Sequence, residues 1–202
     1  MNWETIFNSL ATNDYAVAEH FFSENLYNSL NKYLLELSTA NKLEKSGIGN
    51  KHKFQVNENI RGDQIFWLDP SNTNPTLLSF FQLMQELQAE LNRNFYLSLS
   101  DFEFHFAHYP NGSFYTKHLD QFKGNNNRLI TVIFYFNNQW KPGDGGELKI
   151  YLENEEKLIE PIANRMIIFR SGKIEHEVLT TFVDRYSLTG WMLYKPIGLN
   201  FL

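Results

Sequence analysis

A mainly β chain with N-terminal helices, a jelly roll with helices packed on one sheet, is the fold class predicted by three observations. The first ninety or so residues carry apolar positions at helical spacing. From Phe102 onward the chain breaks into short aromatic and β-branched runs split by Gly, Pro and Asn, the mark of antiparallel strands. One of these runs, Leu129 to Phe136, is apolar on both faces, so the sheet that holds it must be covered on both sides.

The elements follow in order. After an apolar segment from Tyr15 to Phe22, Ser23 is placed to cap a helix carrying Leu26, Leu30, Tyr33, Leu34 and Leu37. Pro75 suits the first turn of a second helix, with Leu77, Phe81, Met84, Leu87 and Leu91 on one face. Expected strands are Phe102 to Tyr109, Leu129 to Phe136, Glu147 to Leu152, Arg165 to Phe169 and Arg185 to Tyr194. In Leu129 to Phe136, Ile130, Val132 and Phe134 are set against Leu129, Ile133 and Tyr135. Gly143 to Gly146 reads as a turn, with Trp140 closing the strand before it. Short Asn-rich patches, Asn125 to Asn127 and Asn137 with Asn138, read as loop punctuation. We expect one domain over 1–202, with helical support and a lid loop in 1–95 and the jelly-roll core in 96–202.

Composition narrows the function. A net charge of -5 and no dense basic run disfavour nucleic acid as a partner. No window approaches the roughly 18 apolar residues of a membrane span, and the start lacks a basic region followed by an apolar stretch. No membrane association and a cytoplasmic location are the expectations. With Cys 0, thiolate catalysis, iron-sulfur clusters and Cys-type zinc sites are excluded, so a metal must sit on His, Asp or Glu.

Among only six His, His118 and Asp120 stand two apart, and in extended chain such side chains share a face and can converge on one cation. A surface histidine beside a solvated aspartate is the competing reading of that pair alone. His176 follows an apolar strand, and pairing across a jelly roll can bring it opposite His118. Two His and one carboxylate leave positions open on an iron, as a non-haem iron(II) oxygenase requires.

Nine residues past His176, Arg185 opens a strand in which period two puts Arg185, Ser187, Thr189 and Trp191 on one face. Facing inward, its guanidinium would lack an evident acid and would call for an anionic ligand such as a dicarboxylate. Tyr135 can add a phenolic hydrogen bond; the competing reading is an ion pair of Arg185 with Asp184 or a glutamate.

Taken together, these residues resemble the 2-oxoglutarate- and Fe(II)-dependent prolyl hydroxylases, in the branch of the hypoxia-inducible-factor prolyl hydroxylases and their bacterial relatives. The resemblance covers about residues 55 to 194. It rests on Ile60-Arg61-Gly62-Asp63 with Trp67; Tyr109-Pro110 through Tyr115 to His118-Leu119-Asp120; and Arg128 to Tyr135 ending near Trp140. Gly145-Gly146 with Leu148, His176-Glu177-Val178 and Arg185 through Trp191 complete it.

The resemblance implies a double-stranded β-helix, iron(II) on His118, Asp120 and His176, and 2-oxoglutarate chelating that iron with its far carboxylate on Arg185 and Tyr135. It places Tyr109 near the chelating end of the co-substrate, Ile133, Leu148 and Trp191 along its pocket, and Thr189 close to iron-bound water. Arg61 and Asp63 match the start of a substrate-closing loop, with Gln64 to Pro75 as its flexible part; a purely local ion pair is the alternative.

The implied reaction couples oxidative decarboxylation of 2-oxoglutarate by dioxygen to hydroxylation of a prolyl residue in a protein, with ascorbate as accompanying reductant. Elongation factor Tu is the sharpest candidate by analogy. A free amino acid or small metabolite as substrate, or a non-catalytic jelly-roll binding module, are the alternatives. The departures are a turn after Tyr109 one residue shorter than in the animal enzymes, and His105, read as a hydrogen-bonded pocket histidine or an added metal ligand. His108 is expected on the opposite face, and His20 and His52 outside the site. The lack of an accessory region predicts a bare catalytic domain.

Overall fold

The computed structural model describes residues 3–47, 59–121 and 127–195. In chain order the elements are α1 (Trp3–Asn13), β1 (Tyr15–Ala18), α2 (Glu24–Thr39), β2 (Glu44–Lys45), β3 (Gln64–Trp67) and α3 (Pro75–Phe95). Then come β4 (Asp101–Tyr109), β5 (Tyr115–His118), β6 (Arg128–Tyr135), β7 (Leu148–Tyr151), β8 (Glu156–Ile159), β9 (Met166–Arg170), β10 (Glu175–Val178) and β11 (Arg185–Leu193). The strands form a large sheet ordered β1-β9-β6-β11-β4-β3-β2 and a small one ordered β5-β10-β7-β8. This is the expected two-sheet jelly roll with helices on one face.

Local chemistry sets the helices. Ser23 accepts the Leu26 N–H at the start of α2, and Asn74 accepts the Thr76 N–H before Pro75 opens α3. Tyr96, in the left-handed region at φ 54, ends α3. The apolar stripe of α3 (Leu77, Phe80, Met84, Leu87, Leu91) and those of α1 and α2 cover the outer face of the large sheet. That face carries Phe104 and Phe106 of β4, Val132 and Phe134 of β6, and Leu188 and Met192 of β11. Phe80 alone meets Phe104 at 5.0 Å and Phe134 at 6.1 Å between ring centroids. Full burial of one such ring stabilises by roughly 1.5 to 3 kcal/mol.

Alternation sends the other set of residues between the sheets. There Ala107, Tyr109, Ile133, Tyr135, Ile167 and Phe169 face Leu148, Ile150, Ile159 and Val178 of the small sheet. Leu129 departs from the expected split: it packs on the helix side, next to a register shift between Met192 and Leu193.

Two expectations about the N-terminal region change. It is not only helices and a lid, because β1 pairs with β9 and β3 with β4, adding strands to the large sheet. The flexible loop expected from Gln64 onward begins instead as strand β3, since hydrogen bonding to β4 overrides the weak pattern of four residues. The rest of that segment is built by side chains, Asp69 accepting from Ser71 and Asn72 from Asn74. Of the Asn-rich patches, 125–126 lie outside the described residues, as does His52.

Candidate metal centre

Strands β5 and β10 lie side by side, and their register sets His118 directly opposite His176. Asp120 follows two residues after His118. The ligand atoms of the three side chains lie within 4.8 Å of one another. One Asp120 oxygen is 3.7 Å from His118 Nε2 and the other 3.5 Å from His176 Nε2. Such separations are too long for good hydrogen bonds, yet suit three donors each about 2.0 to 2.2 Å from a shared cation. Among the described residues no further His, Asp or Glu joins the group. A two-His, one-carboxylate set of this kind suits iron(II) with positions left open.

The surroundings aim these donors. His118 Nδ1 donates to the Thr116 carbonyl at 2.7 Å and His176 Nδ1 to the Ile174 carbonyl at 3.1 Å. A carbonyl only accepts, so each Nδ1 carries the proton and each Nε2 turns a lone pair toward the cluster. Thr131 Oγ donates to Asp120 at 2.7 Å, and Thr131 itself hydrogen-bonds Ser171. The His118 ring stacks on Tyr115 at 3.7 Å. Burial, reinforced by His176, lowers the His118 imidazole to about 4. Burial also pushes the Asp120 carboxyl up, but His176, His118 and Thr131 outweigh it and hold it below the usual carboxylate range. Near neutral pH the set therefore holds a neutral His118 imidazole beside an ionised carboxylate.

The inner face of the large sheet supplies the rest of the pocket in rows. The row nearest the metal cluster holds Thr131 and Trp191, the next Ile133, Thr189 and His105, and the next Tyr135, Ser187 and Ala107; Arg185 pairs with Tyr109 beyond. Arg185 is 2% exposed. Its Nε donates to the Gly146 carbonyl at 2.7 Å, and its guanidinium lies 4.8 Å from the Tyr109 ring centre and 5.2 Å from that of Tyr135. Among the described residues no carboxylate pairs with it; Asp184 pairs instead with His108, at 3.0 Å. Tyr135 is fully buried beside Arg185, and its hydroxyl makes no close hydrogen bond among the described residues. A buried cation beside an unpartnered phenol is costly as it stands and fits an anionic carboxylate. Gly146 makes room: at φ +75, a Cβ there would come within 2.8 Å of Arg185 Cδ.

The remaining residues expected at the site also gather here. Tyr109, Ile133, Leu148 and Trp191 are buried between the sheets, and burial raises the Tyr109 hydroxyl, so it stays a neutral phenol. Among the described residues the buried Trp191 Nε1 makes no close hydrogen bond, though its N–H helps hold the Asp120 carboxyl low. Arg61 and Asp63 form a two-pronged ion pair at 2.7 and 2.6 Å, braced by Ser46 Oγ on Asp63. The Arg61 guanidinium also covers the Tyr115 ring at 4.3 Å, so the pair touches the residue stacked on His118. His105 stands outside the ligand group. Sequence reasoning gave no role to Thr131, although a threonine on the inner parity of an apolar strand was a readable signal. Ser46 and Ser171 offered none, because only tertiary pairing brings them in.

Residues 104–193 match the family model described as the 2OG-Fe(II) oxygenase superfamily. A crystal structure of a Pseudomonas putida prolyl-4-hydroxylase is 35% identical, with TM-score 0.86, covering 94% of this chain and 97% of that one. A prolyl hydroxylase from Trichoplax adhaerens, in complex with a hypoxia-inducible-factor peptide fragment, is 26% identical over 94% of this chain and 87% of that one, with TM-score 0.82. Human prolyl hydroxylase EGLN3 is 30% identical over 157 residues, 73% of this chain; the match spans 62% of that relative's length.

Proposed function

Because the chain belongs to the 2OG-Fe(II) oxygenase superfamily, among its prolyl hydroxylases, we propose that it is a 2-oxoglutarate-dependent dioxygenase hydroxylating a prolyl residue of a protein. The observation that carries this reading is the buried Arg185, with no acid among the described residues and beside a Tyr135 hydroxyl that makes no close hydrogen bond among them, in the same inter-sheet space as the His118, Asp120 and His176 cluster.

In this reading His118 Nε2, the Asp120 carboxylate and His176 Nε2 hold iron(II). Iron(II) and 2-oxoglutarate, when bound, supply the oxidation: dioxygen and the keto acid yield succinate, carbon dioxide and one oxygen atom inserted into a substrate C–H bond. Arg185 and Tyr135 take the far carboxylate, the first as a fixed fork and the second as a phenolic donor. Thr131 and Tyr135 stand four residues apart on β6, about 13 Å of strand rise, which the inward-reaching side chains and a five-carbon diacid span together. Ile133, Leu148 and Trp191 wall that channel and keep water from it, Tyr109, across from Arg185 on β4, offers the co-substrate a neutral phenol, and Thr189 holds water beside the metal. Arg61 and Asp63 anchor the strand that borders the substrate. Trp67 is 47% exposed there, an apolar surface suited to a protein segment. The Trichoplax relative's complex with a peptide fragment supports a protein substrate. Elongation factor Tu is our specific candidate by analogy, and ascorbate the reductant that keeps iron in its working state.

Purified chain supplied with iron(II), ascorbate and 2-oxoglutarate should release succinate faster when elongation factor Tu is added. A gain of about sixteen mass units, one oxygen atom, should then appear on one of its prolines. Succinate release with elongation factor Tu unmodified redirects the search to other lysate proteins; no turnover with any protein or metabolite pool sinks the oxygenase reading.

A further inference from the structure

His105 is a buried polar group of the pocket that the proposed chemistry leaves unused. It lies on the inner face of β4, 4% exposed, with Thr189 opposite it on one side and Trp67 on the other. Its ring sits 4.8 Å from the Trp67 ring and 5.5 Å from that of Trp191, centre to centre. Nδ1 is buried with no hydrogen-bond partner among the described residues. A donor left in that position would be the more severe defect, so the proton belongs on Nε2, the ring atom farthest from the strand, and Nδ1 keeps a lone pair. Burial, with Arg61 nearby, lowers this imidazole to about 3 and keeps it neutral. The tip of the ring is then a single N–H donor with no acceptor among the described residues.

Its position gives that donor a direction. Along the row of Ile133, Thr189, His105 and Trp67, the first lies deep between the sheets and the last reaches solvent at 47% exposure. His105 is the last polar side chain before that open edge. It is also one row from Thr131, which holds Asp120. A peptidyl proline has no N–H, so at that residue the main chain offers a wall only the carbonyl acceptors on either side of it.

We propose that His105 is a substrate-positioning residue, whose Nε2–H donates to a main-chain carbonyl of the protein segment presented to the metal centre, with Trp67 and Trp191 as flanking apolar walls. This rests on the prolyl hydroxylase reading above.

The test uses the iron-loaded chain with 2-oxoglutarate, free of dioxygen, and a panel of blocked proline-containing peptides with matched alanine controls. Peptide binding is read from the fluorescence of the flanking tryptophans, and 2-oxoglutarate binding from the visible charge-transfer absorption of its iron chelate. His105→Met, apolar and of similar size, should weaken peptide binding roughly tenfold, the scale of one hydrogen bond between buried groups. The 2-oxoglutarate affinity should not move. His105→Gln, which returns an N–H near the Nε2 position, should recover most of the loss. Peptide binding unchanged in His105→Met, or both variants weakened together with 2-oxoglutarate binding, overturns the assignment and leaves the prolyl reading standing. If the unaltered chain binds 2-oxoglutarate but prefers no prolyl peptide over its alanine control, the prolyl reading fails and the role of His105 falls with it.

Discussion

At Asp120 a single carboxylate faces both histidines and accepts one hydrogen bond from Thr131. Removing it leaves two imidazoles and no charge, so Asp120→Ala should lose stoichiometric iron(II) binding, measured by metal content after desalting; full retention would refute the ligand assignment. Thr131→Val keeps the shape but removes the donor, and should cost about 10- to 100-fold in iron affinity. Arg185 differs in kind, being a cation whose partner is expected to arrive with the ligand. Arg185→Gln should raise the 2-oxoglutarate concentration needed for half-maximal succinate release by about 10- to 100-fold, from a charged hydrogen bond of about 1.5 to 3 kcal/mol. Loss of folding in circular dichroism, with no change in that requirement for the folded fraction, would instead mark a structural cation. Both residues were legible in the sequence for a physical reason: a strand's period of two fixes the face of Arg185, and close spacing puts His118 with Asp120. What the spacing of His118 and Asp120 leaves open is the partner strand. That His176 sits directly opposite His118 depends on the register of β5 with β10, two four-residue strands far apart in sequence.

Length explains which elements could be read. Strands β6 and β11 carry eight and nine residues with apolar outer positions, enough alternation to show in the sequence alone. β1 and β3 carry four each and β2 two, so their place in the large sheet comes from hydrogen bonding, β1 to β9, β3 to β4 and β2 to β3. The Trp67 wall beside His105 was hidden for that reason. β3 is held from its N-terminal side by the Arg61 and Asp63 pair, whose Asp63 side chain is fully buried and whose Arg61 side chain is 13% exposed. Burial pushes the Asp63 carboxyl up, yet Arg61 and Ser46 outweigh this and keep it ionised. Asp63→Ala would leave a largely buried guanidinium unpaired, at a cost of about 3 kcal/mol. For a chain of this size that is roughly 6 to 12 °C in Tm, checked by calorimetry. The double variant Arg61→Ala, Asp63→Ala should recover part of the loss, because no stranded charge remains; an Asp63→Ala melting point equal to that of the unaltered chain would make the pair a mere surface contact.

For the whole molecule, two buried imidazoles couple the site to stability. His118 is lowered to about 4 and His105 to about 3, in both cases chiefly by burial, against the ordinary value of 6.5 in the unfolded chain. Between those values the unfolded chain binds protons that the folded chain refuses, so stability rises with pH. The stabilisation is fully present above about pH 6.5 and drains away as pH falls toward 4 for His118 and 3 for His105. Asp63 and Asp120, both held below the ordinary value of 3.8, add to the loss only under more acid conditions. A metal that binds the folded chain alone raises Tm, and it competes with the proton for the His118 Nε2 lone pair. The metal-free chain should therefore melt progressively lower between about pH 6.5 and 4, and the gain in Tm from added iron(II) should shrink over the same interval. His105→Met removes one of the two groups and should flatten the metal-free profile while leaving the pH dependence of the iron increment in place. Melting curves collected without dioxygen across that range, with and without iron(II), separate the two histidines. A metal-free Tm that stays level down to pH 4 would mean that neither ring is buried in the folded chain as described.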